Sequence, residues 1–286
     1  MSLLPTSALR FAPTLCLAKF MNFHPPPNDA PALFLPRLKH LELVSVRIPK
    51  DDMERLLRGC TTLEFLRLQA MNWSSTLQIT SRTLRTIYVC YWCCNERSQK
   101  VDHNMVIQNT PSLERLLVVD QQGPTRINVI FAPKLKVVGY LSVKYYNFQV
   151  QQSPYIPLLL DINIISSFED VCSSVIQRSF TQPLGTVKVL ALESVVPNLD
   201  QVFNCLRCFP CLKKLYIKCI LGPMEDVDND NHIECLDLHL PNITLNSYRG
   251  TLQEITLAMF FLATTKVMRL LRLNTHLIRE DQWYDY

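Results

Sequence analysis

The residues best equipped for chemistry in this sequence are its cysteines, its histidines and one run of aspartates. Cys205-x-x-Cys208-x-x-Cys211 has the spacing at which thiolates hold iron–sulfur clusters, yet Leu215 stands where a fourth cysteine is wanted. Cys90, Cys93 and Cys94, beside Trp92, would need a second ligand pair at suitable spacing to close a zinc site, and His103 is the sole neighbour of the right kind. Asp226-x-Asp228-x-Asp230, followed by Ile233 and Asp237, imitates a calcium loop with its alternating hard oxygen ligands. Three features count against it: Asn231 replaces the glycine, Asp237 replaces the bidentate glutamate, and Leu236-Asp-Leu238 alternates like a strand where an exiting helix is required. These patterns are expected to be structural, as small buried thiols and a solvated acidic loop.

The histidines at 24, 40, 103, 232, 239 and 276 join no serine or cysteine in a triad order, and neither G-x-S-x-G nor H-E-x-x-H occurs. Phosphate-cradling glycine motifs are also missing. No enzyme, catalytic residue, cofactor or metal is expected. The net charge of +4, from 29 basic and 25 acidic residues, leaves no dense run of Lys and Arg to displace counterions, so nucleic acid is not an expected partner. An odd count of 11 cysteines in a chain of this length fits reduced thiols, and a cytoplasmic or nuclear location. There the Asn72-Trp-Ser74 and Asn242-Ile-Thr244 glycosylation patterns are idle. Arg10 and Lys19 precede the first acid, Asp29, as in a transit peptide, but the same stretch reads as repeat. The apolar stretch near Leu257 to Thr265 falls short of the ~20 residues that span a bilayer, so no membrane span is predicted.

A recurring phrase organises the chain: a turn residue, then Leu-x-x-Leu-x-Leu. It reads Leu38-x-x-Leu41-x-Leu43, Leu63-x-x-Leu66-x-Leu68, Leu84-x-x-Ile87-x-Val89, Leu113-x-x-Leu116-x-Val118, Leu135-x-x-Val138-x-Tyr140, Val187-x-x-Leu190-x-Leu192 and Leu212-x-x-Leu215-x-Ile217. Weaker copies are Ile233-x-x-Leu236-x-Leu238 and Leu252-x-x-Ile255-x-Leu257, with an opening copy at Leu9. Anchors from Leu38 to Leu135 stand 25, 21, 29 and 22 residues apart, the period of leucine-rich repeats. The gap of 52 from Leu135 to Val187 predicts a degenerate unit near Pro157–Ile162. One copy cannot hide its apolar face, so the copies must stack. The predicted fold is α/β: a leucine-rich-repeat solenoid, with a curved parallel sheet and helices and loops on its convex side.

Return segments carry helical spacing. Met53, Leu56 and Leu57 follow a capping Asp51 and end at Gly59. Leu199, Val202, Phe203 and Leu206 form a second stripe stopped by Pro210, and Leu257, Phe260, Phe261, Thr264, Val267, Met268 and Leu271 form a third. The turn-rich acidic stretch 221–231 separates a repeat array over 1–222 from a C-terminal segment over 223–286.

Between the anchors, alternation sends one set of side chains to the concave face. Glu42, Arg67, Tyr88, Leu117, Glu193, Tyr216 and Lys218 are the expected partner-binding residues, with Arg67, Tyr88 and Tyr216 as first anchors because Arg and aromatics dominate interfaces.

Leu35-Pro-Arg-Leu-Lys-His-Leu-Glu-Leu43, Leu57-Arg-Gly-Cys-Thr-Thr-Leu63 and Ala132-Pro-Lys-Leu-Lys-Val-Val-Gly-Tyr140 resemble plant F-box leucine-rich-repeat proteins. Cys208-Phe-Pro-Cys-Leu-Lys-Lys-Leu-Tyr-Ile217 and Ile243-Thr-Leu-Asn-Ser-Tyr-Arg-Gly250 are similar to the approach to, and the start of, the FBD segment that closes many of them. The resemblance implies a protein-binding scaffold, like the substrate-recognition part of a cullin-RING ubiquitin ligase subunit. In that family an N-terminal F-box docks a Skp-type adaptor. No F-box pattern precedes the first repeat, so adaptor docking is expected only with an F-box upstream, and the FBD-like segment reads as incomplete. The competing expectation is a truncated or degenerate member acting as a plain scaffold or lacking function.

Overall fold

The computed structural model describes residues 2–3, 10–24, 34–46, 50–69, 76–91, 103–120, 125–142, 146–150, 184–194, 202, 206–219 and 233–275. Six repeats are launched by a tight turn whose first residue is buried. Leu38 N donates to Leu35 O (3.2 Å), Leu63 N to Cys60 O (3.3 Å), Leu113 N to Thr110 O (3.0 Å), Leu135 N to Ala132 O (3.1 Å), Val187 N to Leu184 O (3.3 Å) and Leu212 N to Phe209 O (3.2 Å). Pro36, Pro111, Pro133 and Pro210 sit at the first central position, where the ring pre-sets φ for the turn.

From these turns the chain enters a ten-stranded sheet: β2 (Leu17–Met21), β4 (His40–Val44), β5 (Phe65–Gln69), β7 (Thr86–Tyr91), β9 (Arg115–Asp120), β11 (Val137–Ser142), β13 (Val189–Ser194), β14 (Lys214–Cys219), β15 (Asn242–Asn246) and β16 (Leu270–Asn274). Neighbouring strands are parallel and follow chain order. Leu41, Leu66, Ile87, Leu116, Val138, Leu190, Leu215 and Ile243 form one fully enclosed row on the core side. Burial of each such side chain is worth about 1.5–3 kcal/mol, which stacking alone supplies. This is the leucine-rich-repeat α/β solenoid predicted from the phrase. A separate short pair joins β1 (Ser2–Leu3) to β3 (Phe23–His24).

Across the core lies a second layer that differs along the array. Helix α1 (Lys50–Gly59) buries Met53 and Leu57. Beyond it the return segments are strands rather than helices: β6 (Thr76–Thr80), β8 (His103–Asn109), β10 (Thr125–Val129) and β12 (Tyr146–Val150) form a parallel sheet. Their alternation drives Leu77, Ile79, Met105, Ile107, Ile127 and Val129 into the shared core. That period-two signal was in the sequence but lay hidden between stronger phrases.

Val138 of β11 registers directly with Leu190 of β13, and the stretch Pro157–Ile162, where a degenerate unit was expected, lies outside the described residues. The two weaker copies of the phrase need correction. Ile233-x-x-Leu236-x-Leu238 is not a strand. Glu234–Leu238 forms helix α2, a single turn that buries Cys235 and Leu236. The repeat phrase falls later, at Leu240-x-x-Ile243-x-Leu245. Leu252-x-x-Ile255-x-Leu257 belongs to helix α3 (Leu252–Thr264), where Thr251 and Glu254 form a capping box; Leu271, assigned above to the helical stripe, lies on β16. At the other end the first described strand of the array uses Leu15-x-x-Ala18-x-Phe20, and Leu9 lies outside the described residues. Val202, Leu206 and Arg207 of the second predicted helix are helical.

Candidate functional site on the open face of the sheet

Parallel pairing in register fixes which side chains become neighbours on the face opposite the core. Lys19, Glu42, Arg67, Tyr88, Leu117 and Gly139 occupy equivalent positions on β2, β4, β5, β7, β9 and β11. On the far strands the same position holds Ala191, Tyr216, Thr244 and Arg272. Glu193 registers with Lys218 two residues further on, although the Glu193 side chain lies outside the described set. Glu42, Arg67, Tyr88, Leu117, Tyr216 and Lys218 therefore stand on one side of one sheet, opposite the core.

Glu42 is the electrostatic hub of the first strands. Its Oε1 lies 3.0 Å from His40 Nε2 and its Oε2 lies 3.2 Å from Lys19 Nζ. Partial burial alone would raise its pKa. The hydrogen bonds to His40 and Lys19, with the charges of Lys19 and Arg67, outweigh that burial and hold the carboxyl below its ordinary value. The His40 ring stacks on Phe65, with centroids 4.2 Å apart and planes 13° from parallel.

Arg67 lies over the Tyr88 ring, its guanidinium carbon 4.7 Å from the centroid, which is cation–π geometry. Its Nε is enclosed and finds no hydrogen-bond partner among the described residues. Tyr88 and Leu117 are only 3% and 4% exposed, and they cluster with Cys90 against Phe65 and Val137. Their rings and methyls are thus floor rather than rim. A Cβ added at Gly139 would come within 2.7 Å of Leu117 Cδ2, so the Leu117 side chain would have to shift to admit it. Glu42, Arg67, Tyr216 and Lys218 remain half-buried and reachable.

A second row borders the first at the leading edge of the sheet, unrecognised in the sequence because it sits in the variable slots of the phrase. Backbone bonds link Lys39 to Glu64, Glu64 to Arg85, Arg85 to Glu114, Glu114 to Lys136, Lys136 to Lys188 and Lys188 to Lys213 at 2.8–2.9 Å. In its first half the signs alternate, giving pairs at 3.5 Å (Lys39–Glu64), 3.4 Å (Arg85–Glu114) and 3.6 Å (Lys136–Glu114).

Cys208 is buried behind the turn that contains Cys211, and both are free thiols; Cys205 lies outside the described residues. Cys90 is on the main sheet and His103 on the second sheet, while Cys93 and Cys94 lie outside the described residues. Most of the acidic loop also lies outside them. The strand-based objection to a calcium loop falls with the helical assignment of 234–238, whereas the Asn231 and Asp237 substitutions stand. No helix among the described residues is long and apolar enough to cross a membrane.

Comparison with known proteins agrees with the architecture. Residues 1–217 match the family described as "FBD-associated F-box protein At5g56370, LRR repeats", and residues 228–273 match the FBD family. An Arabidopsis thaliana protein described as an F-box protein, At1g58310, is 27% identical over 153 residues, covering 52% of this chain and 29% of that relative. The match thus spans less than a third of the relative's length.

Proposed function

The chain belongs to the leucine-rich-repeat family of FBD-associated F-box proteins, and from that premise we propose that it holds another protein on the open face of its main sheet. The observation that carries this reading is the row Lys19, Glu42, Arg67, Tyr88 and Leu117, in which charged, aromatic and aliphatic groups are set one strand apart on a rigid ladder. A strand spacing of about 4.8 Å brings these side chains within reach of one extended or helical partner segment. Arg67 and Tyr216 act as anchors, Glu42 and Lys218 as orienting charges, and Tyr88 and Leu117 as the packed base beneath Arg67. Glu193 completes the face beside Lys218. This is a binding surface, not a catalytic one.

Within the family, such a surface would select the substrate of a cullin-RING ubiquitin ligase, with a Skp-type adaptor joined through an F-box segment. The free thiols at Cys16, Cys60, Cys90, Cys208, Cys211 and Cys235 suit a cytoplasmic or nuclear site of action. We further divide the chain into the repeat array, 1–222, and an FBD-like segment, 223–286, whose strands β15 and β16 extend the array's own sheet.

The test is photo-crosslinking in plant extract, with a crosslinking residue placed in turn at Glu42, Arg67, Tyr216 and Lys218, and at Arg58 on α1 as a control. One discrete protein adduct shared by the four open-face positions and absent at Arg58 is the expected result. Adducts only from α1, or none from the open face, would overturn the reading. Co-purification of a Skp-type adaptor with the same adduct separates ligase recruitment from plain scaffolding.

A further inference from the structure

The two halves of the leading-edge row carry different charge. From Lys39 to Lys136 basic and acidic residues alternate, and the acids are engaged by their neighbours. Beyond Lys136 the alternation stops: the next positions are Lys188, Lys213, Pro241 and Arg269, none of them acidic. Lys213 and Arg269 are exposed, as is Arg272 at the far end of the neighbouring row. The Lys188 ammonium caps its own turn through Gly185 O at 2.9 Å, which leaves its charge uncompensated by that bond. In the linear sequence these residues are scattered over more than a hundred positions; the sheet collects them on adjacent strands.

We infer that the leading edge of the main sheet along β11, β13, β14, β15 and β16, the row from Lys188 to Arg269 rather than the Glu193–Lys218 positions further along the strands, is a docking strip for an acidic segment of a partner protein. Four strand steps separate Lys136 from Arg269, about 19 Å at the usual inter-strand distance, which an extended chain crosses in about six residues. Carboxylates on such a segment would supply the charge that the fold supplies from within in the first half of the row. Acidic protein is favoured over a nucleic-acid backbone because the strip is short and borders the half-buried Tyr216. The inference rests on the protein-binding reading above and names the chemistry of the partner.

The test uses the full chain and fluorescence anisotropy with three probes: a labelled glutamate-rich peptide, a thymidine oligonucleotide of matched charge, and phosphatidylserine vesicles. The peptide is expected to bind the wild type in a salt-sensitive manner. The Lys188→Glu, Lys213→Glu, Arg269→Glu triple variant is expected to weaken it about tenfold or more, a few-fold per reversed charge. The Lys39→Glu, Arg85→Glu variant in the balanced half is expected to leave it within about twofold, as reversal there acts from three or more strand steps, about 14 Å, away from Lys188 and is largely screened. If the triple reversal does not fold, the corresponding glutamine variants serve, with a loss of about threefold. Equal loss in both halves, or no peptide binding by the wild type, overturns the proposal. Tighter binding of the oligonucleotide or the vesicles than of the peptide also overturns it. Failure of the peptide with persistent adducts from Arg67 would remove the strip and leave the general reading intact.

Discussion

Arg67 and Tyr88 are directly opposed in paired strands, and the guanidinium carbon of the first lies 4.7 Å from the ring centre of the second. The ring is 3% exposed, so it is a fixed platform, and the guanidinium is the part a partner can meet. A double-mutant cycle between Arg67→Met and Tyr88→Leu, read by urea denaturation, is expected to give a coupling of about 0.5–1 kcal/mol. Additive losses would show that the two groups do not act together.

Glu42 predicts an acid limb. Its folded pKa is depressed, so its contribution to stability is fully present above the ordinary carboxylate value of 4.5 and is lost as pH falls below that value through the depressed folded pKa. Glu42→Gln is expected to cost about 0.5–1 kcal/mol at pH 7 and to differ little from wild type once Glu42 is protonated in both states. The check is chemical denaturation at a series of pH values, and a difference that stays constant with pH would contradict the assignment.

The buried Glu254 carboxylate accepts from Arg249 N at 2.8 Å and Thr251 N at 3.0 Å, while Thr251 Oγ1 accepts from Glu254 N at 3.4 Å. Glu254→Ala therefore leaves two part-buried amide donors without their acceptor and is expected to cost about 1–2 kcal/mol. Thr251→Ala removes one longer bond and is expected to cost about 1 kcal/mol or less. The ranking of the two denaturation midpoints is the readout, and the reverse order would refute this account of the α3 start.

Thiol reactivity separates surface from core. Burial pushes the thiols of Cys60 and Cys235 up to about 12, while Cys16 is exposed. At pH 8, iodoacetamide followed by peptide mass spectrometry is expected to alkylate Cys16 rapidly and Cys60 and Cys235 only after denaturation. Rapid native labelling at Cys60 would mean that the turn before β5 is open.

The main sheet was legible because its signal is redundant: an anchor and two alternating apolar positions recur from Leu38 to Leu215, most of them behind a buried turn residue. Where redundancy falls, reading fails. Cys235-Leu236 fits the phrase by letter, but both lie in a helical turn, and Leu240 supplies the true anchor. The second sheet escaped notice because Leu77-Gln-Ile79 and Ile127-Asn-Val129 are short alternations without turn and anchor. On the open face, the phrase placed Glu42, Arg67, Tyr88 and Tyr216 on the correct side, since alternation is local. It did not reveal that Tyr88 and Leu117 are enclosed, or that Lys136, Lys188 and Lys213 adjoin, since both depend on which strands pair.

The central claim is that the open face binds a protein through Arg67 and Tyr216. Once the crosslinked partner is identified, its Kd for the wild-type chain and for the Arg67→Ala, Tyr216→Ala variant, measured by isothermal titration calorimetry, is the most direct test. The account predicts a loss of about 2 kcal/mol or more, close to thirtyfold, as for interface anchors elsewhere. An unchanged Kd in a variant whose unfolding transition matches the wild type would contradict it.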